Sequence, residues 1–250
     1  MRRLIAAAAL LFCVSAMAAE ISGADMTAGD FIARVRHPSN RQNYARLDGT
    51  ISHLRRGDDE ASTVPVYFGT ILTGDRQLSQ LIVNNNEGYR IGQSYVSGSE
   101  GTTVTPMKQG GYPDSLLGRF GVKPEDLSMS FLFWNPEREL EPVTMRTVDC
   151  RVFLMKDPAS KEGIRITISS EYFFPLKVEF FNDLDKDIAA ESEPYRSLEV
   201  EKFKKTDNGF WVPTLLKIQG PGWRTRIEFT GIEAAEFDPK APVNVVRRLQ

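Results

Sequence analysis

The sequence predicts a mainly β, α+β protein: a wide, curled antiparallel sheet with a few helices laid over its apolar face. Three observations carry this. From Tyr44 onward, hydrophobic side chains recur with period two in runs of strand length. Short turns rich in Gly, Asn and Asp separate the runs, without the long crossover helices that parallel pairing needs. Helical spacing is confined to two places, one near the N-terminus and one in the middle of the chain. A single sheet this wide must curl or be covered, and the helices are the available cover.

The elements follow in order. Thr27 can cap a helix reaching Val35, with Asp30 three residues on and Met26 packing back on Phe31. Phe31, Ile32 and Val35 give it an apolar side, and His37-Pro38 ends it, because a residue before proline is pushed out of helical geometry. Strands are expected at Tyr44 to His53, Val64 to Leu72, Gln77 to Val83 and Tyr89 to Tyr95, with turns at Gly74-Asp75 and Asn84 to Gly88. Asp114 can cap a short helix through Leu116 and Leu117, stopped at Gly121. A further helix opens at Pro124 and carries Leu127, Phe131 and Leu132. Glu125 and Asp126 sit in its first turn, where negative charge suits the dipole.

Strands then resume. Val152 and Leu154 alternate with Arg151 and Phe153, and Ile164, Ile166 and Ile168 with Arg165, Thr167 and Ser169. Leu176 and Val178 alternate with Lys177 and Glu179, and Leu198 and Val200 with Glu199 and Glu201. Asp207-Asn208-Gly209 is a hairpin turn, since Asn and Gly tolerate positive φ. Trp211 to Ile218 follows, then a turn at Gly220-Pro221-Gly222. In the last strand Thr225, Ile227 and Phe229 face one way, and Arg224, Arg226 and Glu228 the other. The tail from Pro239 reads as irregular.

Residues 1–18 read as a cleavable signal peptide, leaving 19–250 as one domain. Arg2 and Arg3 form the charged start, Leu4 to Val14 the apolar run, and Ala16-Met17-Ala18 the small-residue cleavage site. The run is shorter than the roughly 20 apolar residues a membrane-spanning helix needs. Lipidation at Cys13 wants a small residue before it, and Phe12 is bulky. No later stretch is long and apolar enough to cross a membrane as a helix, so the mature chain is expected to be soluble and exported. Loss of Arg2 and Arg3 lowers Lys plus Arg from 31 to 29 against 33 acids, a net charge of −4. That balance argues against a nucleic-acid partner. Cys150 is the one cysteine left, so the mature chain forms no internal disulfide.

The catalytic inventory is thin. His37 and His53 are the only histidines and stand in no metal-ligand spacing; HExxH, GxSxG, P-loop and GxGxxG motifs are missing. Gly98-Ser99-Glu100-Gly101 reads as a polar loop. Cys150 reads as a small hydrophobe within a strand rather than a nucleophile. Asp183, Asp185 and Asp187 begin like a calcium loop, but Ile188 stands where glycine is needed and Pro194 where glutamate is needed. No cofactor is implied. Asp58-Asp59 fall in a solvated loop, and two-carboxylate glycosidase chemistry stays open, since sequence alone does not set carboxylate separations. The aromatic content is more suggestive. Phe131, Phe133 and Trp134 cluster after Pro124, and Phe173, Phe174, Phe180 and Phe181 flank Pro175. They are core residues, or the wall of a ligand cavity under a curled sheet.

Three segments resemble outer-membrane lipoprotein-sorting proteins of the LolA-like type: Pro124 to Trp134, Ile164 to Phe181 around Tyr172-Phe173-Phe174-Pro175-Leu176, and Ser197 to Gly231 with Gly209-Phe210-Trp211-Val212-Pro213-Thr214. The resemblance covers roughly the latter half of the chain. It implies an unclosed antiparallel barrel with helices over its mouth and a periplasmic, non-enzymatic carrier of lipid or lipoprotein acyl chains. It also implies an inner-membrane donor and an outer-membrane acceptor as partners. Phe131, Leu132, Ile164, Ile166, Ile168, Leu176, Val178, Phe180, Ile227 and Phe229 are the expected acyl-chain site, because strand alternation puts them on one concave face with the Phe131 helix over it. The competing readings are an envelope interaction or stress-sensing module on the same fold, and an envelope hydrolase.

Overall fold

A computed structural model describes residues 22–36, 42–95, 101–184, 193–236 and 244–249. The signal segment, His37-Pro38, Gly98 to Glu100, Asp185 to Ile188 and Pro239 lie outside the described residues. The elements are α1 (Ala28–Arg36), β1 (Asn43–Arg55), β2 (Ser62–Thr73), β3 (Arg76–Val83), β4 (Glu87–Ser94) and β5 (Gly101–Pro106), then α2 (Leu116–Arg119) and α3 (Pro124–Ser128). They continue with β6 (Asn135–Met145), β7 (Val148–Lys156), β8 (Gly163–Ser169), β9 (Pro175–Phe181), β10 (Arg196–Lys205), β11 (Trp211–Gly220) and β12 (Trp223–Glu236). A 3-10 turn at Ser130–Phe133 follows α3.

The twelve strands form one antiparallel sheet in the order β5-β4-β3-β2-β1-β12-β11-β10-β9-β8-β7-β6. The first and last strands pair at its centre, from Asn43 opposite Glu236 to Arg55 opposite Trp223. Consecutive strands β5 and β6 therefore end up on opposite edges. Twelve strands laid flat would span roughly 50 Å, so the 107–134 connection must cross the whole sheet, and this is the segment that carries α2, α3 and the 3-10 turn. The sheet curls to meet it. Thr102 and Val104 on β5 line the same cavity as Asp157 and Glu162 beside β7 and β8. The result is a barrel that does not close, with short helices set in its mouth.

Side-chain alternation gives the sheet one apolar inner face. A row runs across it through paired positions Phe153, Ile166, Val178, Leu198, Ile218, Thr225 and His53. A neighbouring row holds Val200, Leu216, Ile227, Ile51 and Val64. All the apolar members of the first row are buried. Burial of this face at about 25 cal/mol per Å² is the main term holding the fold. β1 and β12 bend together at a bulge at Asp48/Gly49. Gly49 is needed there, since a Cβ would lie 2.0 Å from the Glu228 carbonyl oxygen. The outer face is strapped by the C-terminal residues. Val245 accepts a hydrogen bond from the Tyr67 hydroxyl at 2.6 Å, and Arg247 stacks 3.6 Å over the Tyr67 ring and pairs with Asp48.

Several expectations need correction. β5 and β6 were not expected as strands. Both are edge strands with almost no buried residue, so neither shows apolar alternation. The expected helix from Pro124 through Leu132 is broken by Met129, whose φ of 53° ends α3 before a separate 3-10 turn. Ser115, not Asp114, caps α2, its Oγ accepting from the Gly118 N–H at 2.9 Å. Glu87, expected in a turn, opens β4 and turns its buried carboxylate onto the Leu116 N–H at 2.6 Å. That anchor holds a helix of four residues, too short to stand alone.

Candidate functional site

The site is the inner face and its cover. The ten residues expected to line an acyl-chain cavity are all buried and belong to one apolar cluster. Ile164 pairs with Phe180 and Ile166 with Val178, so β8 and β9 present them to the same side. Ile227 and Phe229 reach that side from β12. Phe131 of the 3-10 turn stands edge-on to Phe180, ring centres 5.9 Å apart. α1 lies over the same surface, with Phe31 stacked on Phe153 at 5.7 Å and tilted against Phe173 at 5.4 Å. Side chains of sheet and cover fill most of this interior. Of the ten, Phe131 and Phe180 also line an open cavity.

Two openings lie where the cover meets the sheet edges. One, of about 430 Å³, is bounded by β5, α3, the 3-10 turn, the β7–β8 connection, Phe180 and Arg196. The other, of about 500 Å³, lies between Ile32, Ala33 and Arg36 of α1 and Pro136 to Glu139 of β6, with Phe153 at its floor. Both are within the ~300–1,000 Å³ range of small-molecule sites.

Three arginines fasten the cover, and sequence reasoning missed all of them. Arg196 is 4% exposed on β10; its Nη1 donates to Asp126 Oδ2 at 2.7 Å, and its guanidinium lies 3.7 Å from the Phe180 ring centre. Burial opposes its charge, but Asp126 beside it overrides that and holds the Arg196 pKa above its ordinary value. Asp126 Oδ2 also caps α3 by accepting the Lys123 N–H at 2.7 Å, while buried Oδ1 has no partner among the described residues. Burial raises the pKa of the neighbouring Glu125. Arg151 on β7 lies 4.6 Å from the Phe31 ring centre, pairs bidentately with Glu139 at 2.6 and 2.7 Å, and donates to the Met26 and Gly23 carbonyls. Arg36 at the end of α1 donates to the carbonyls of Leu132 and Trp134, both at 2.7 Å, tying α1 to the 3-10 turn. A signal existed for two of them. Arg196 shares parity with Leu198 and Val200, and Arg151 with Phe153 and Met155. A charge in register with a strand's apolar side faces the interior and needs a partner there.

His53 is a further polar group on the inner face, stacked on Phe120 at 4.8 Å. Thr225 donates its hydroxyl to the Phe120 carbonyl at 2.5 Å, so His53 Nδ1 is the donor in the 2.8 Å contact with Thr225 and Nε2 carries no proton. Buried Nε2 has no partner among the described residues, and burial, then Arg55, lowers the His53 pKa. Cys150 is buried on β7, its thiol pushed up in pKa by burial, so it packs as a hydrophobe. Among the described residues no group of three His, Cys, Asp or Glu is arranged to hold a metal ion, and no helix is long and apolar enough to cross a membrane.

An unclosed antiparallel sheet whose mouth holds short helices is the LolA-like fold, and this chain adopts it. The solved structures that share it include the following three. A DUF1329 family protein from Desulfovibrio piger aligns with a TM-score of 0.55 and 12% identity over 81% of this chain and 90% of its own. A candidate outer-membrane lipoprotein-sorting protein domain from Vibrio parahaemolyticus gives 0.55 and 13% over 81% and 90%. A LolA-superfamily protein from Nitrosomonas europaea gives 0.55 and 12% over 86% and 96%. No family model matches the sequence, and no curated protein matches it. At such identities the likeness establishes the fold.

Proposed function

We propose that this protein is a periplasmic, non-enzymatic carrier or binder of lipid or lipoprotein acyl chains, exported by a signal peptide cut after Ala18. The observation that carries the reading is the continuous apolar inner face lying under a cover of short helices. α1, α2 and α3 have 9, 4 and 5 residues, so none is stable by itself. The cover is held by side-chain packing and by the Arg36, Arg151 and Arg196 contacts, and it can part from the sheet without breaking any strand pairing. An acyl chain then lies between cover and sheet, against Phe131, Phe180 and the Ile164 to Ile168 strand, replacing apolar contacts with apolar contacts. Each methylene taken from water contributes roughly 0.8 kcal/mol, so a chain of about fourteen carbons gains on the order of 10 kcal/mol before association costs of several kcal/mol. That leaves an affinity from which release is practicable. The role requires no catalytic group, and a carrier of this kind loads from an inner-membrane donor and unloads to an outer-membrane acceptor. The solved LolA-superfamily and lipoprotein-sorting structures support the same reading. Native mass spectrometry of protein isolated from an envelope fraction without detergent tests it. The expected spectrum contains lipid or acylated adducts; a bare polypeptide mass throughout contradicts the proposal.

A further inference from the structure

A cavity of about 440 Å³ at one end of the sheet is unlike the openings under the cover. Its wall includes Arg55 and Arg56 at the end of β1, Arg224 and Trp223 at the start of β12, and Arg196. Among the described residues no carboxylate lines it, whereas three other cavities carry at least two each: Glu137 and Glu139 beside α1, four acids at the mouth, and Glu141, Glu179 and Glu199 on the outer face. The charge of Arg196 is already met by Asp126. Arg55, Arg56 and Arg224 make no side-chain ion pair among the described residues. The nearby Asp58 turns its carboxylate back onto the Arg55 backbone N–H at 3.2 Å. Three arginines with no side-chain ion pair among the described residues thus line one pocket of a chain whose formal net charge is −2.

The walls are fixed by backbone. Arg55 lies opposite Trp223 across the β1–β12 pairing, Leu54 lies opposite Arg224, and the Arg56 N–H donates to the Gly222 carbonyl at 2.7 Å. The indole of Trp223 occupies the space that side chains at residues 121 and 220 would fill. A Cβ on Gly121 would meet it at 2.3 Å and one on Gly220 at 2.7 Å. Trp223 is therefore held in place as a partly exposed apolar residue in the pocket wall.

We propose that this pocket binds a phosphate-bearing group, clasped by Arg55, Arg56 and Arg224, with Trp223 packing on the moiety that carries the phosphate. Guanidinium groups present paired N–H donors that match phosphate oxygens. Like charges held together without counter-charge raise local potential and draw an anion in. The phosphate belongs to a soluble phosphate ester or to a lipid headgroup. The site shares Arg196 as a wall with the mouth cavity but does not use its charge, and it stands or falls independently of the acyl-chain interior.

The test is calorimetric titration of the mature protein with inorganic pyrophosphate, alongside flotation with phosphatidylglycerol and phosphatidylcholine vesicles. Each is repeated in Arg55→Ser/Arg56→Ser/Arg224→Ser and in a charge-matched control, Arg90→Ser/Lys202→Ser/Lys204→Ser, with folding checked by circular dichroism. The expected result is saturable binding that weakens with salt, loses about tenfold per clasping arginine removed, and survives in the control and in Phe180→Asp. Binding to pyrophosphate alone assigns a soluble ligand, and binding to phosphatidylglycerol vesicles assigns a headgroup. No binding to either, or equal loss in the control, overturns the proposal.

Discussion

Cutting the Arg196–Asp126 pair tests how the cover is held. The two side chains are 4% and 1% exposed. Removing one member of such a pair strands the other charge in the interior, at about 3–5 kcal/mol. Arg196→Met keeps the stem over Phe180 but leaves the Asp126 carboxylate with only the Lys123 N–H, 2.7 Å from Oδ2. Asp126→Leu strands the guanidinium and also removes the α3 cap, which adds about 1 kcal/mol. The double variant strands nothing and should cost far less than the two singles together, a coupling of about 3 kcal/mol. Urea unfolding followed by circular dichroism and tryptophan fluorescence, with unchanged denaturant slopes, measures all three. Single losses below about 1 kcal/mol, or a double variant that is simply additive, would refute the assignment of this pair as the buried tie between α3 and β10.

Acid should loosen the protein through His53. Its pKa is lowered from 6.5 in the fold, so below that value the unfolded chain takes up a proton that the folded chain refuses. Its contribution is therefore complete above about pH 6.5 and is lost as pH falls toward the folded pKa. Thermal midpoints across this range should fall with acid in wild type and fall less in His53→Gln; parallel slopes would rule His53 out. Gly121→Ala places a Cβ 2.3 Å from the Trp223 ring at a φ of +70°, and should cost at least about 2 kcal/mol and red-shift the emission; an unchanged spectrum and stability would contradict that packing. Arg36→Ala should speed amide exchange in Ala28–Arg36 and Ser130–Phe133 relative to β1 and β12, and equal rates would remove Arg36 from the fastening.

Much of the sheet was legible because its strands have one wet and one dry side. Ile164, Ile166 and Ile168, or Thr225, Ile227 and Phe229, announce themselves by alternation. β5 and β6 do not, since an edge strand with both sides exposed buries no apolar stripe. The ten residues expected on the concave face were legible for the same reason and do share one cluster. Their occupancy by an acyl chain is a proposal, because close packing against the cover depends on neighbours that local pattern does not specify. Met129 in the left-handed region was invisible, as nothing local demands a break there. The fastening arginines were missed because their partners are distant in sequence: Asp126 lies 70 residues from Arg196, and Leu132 lies 96 from Arg36.

The most direct test of the account is displacement of a fluorescent fatty acid from the mature protein and from a Phe180→Asp variant shown to be folded. Phe180 is the floor of the mouth cavity, touched by both Phe131 and Arg196. A carboxylate there removes the ring from the acyl path and sets a charge beside Arg196, where it competes with Asp126. Saturable binding by the wild type, displaced by unlabelled fatty acid and lost in the variant, is the predicted result. A wild type that binds nothing, or a folded Phe180→Asp protein that binds as well as the wild type, would contradict it.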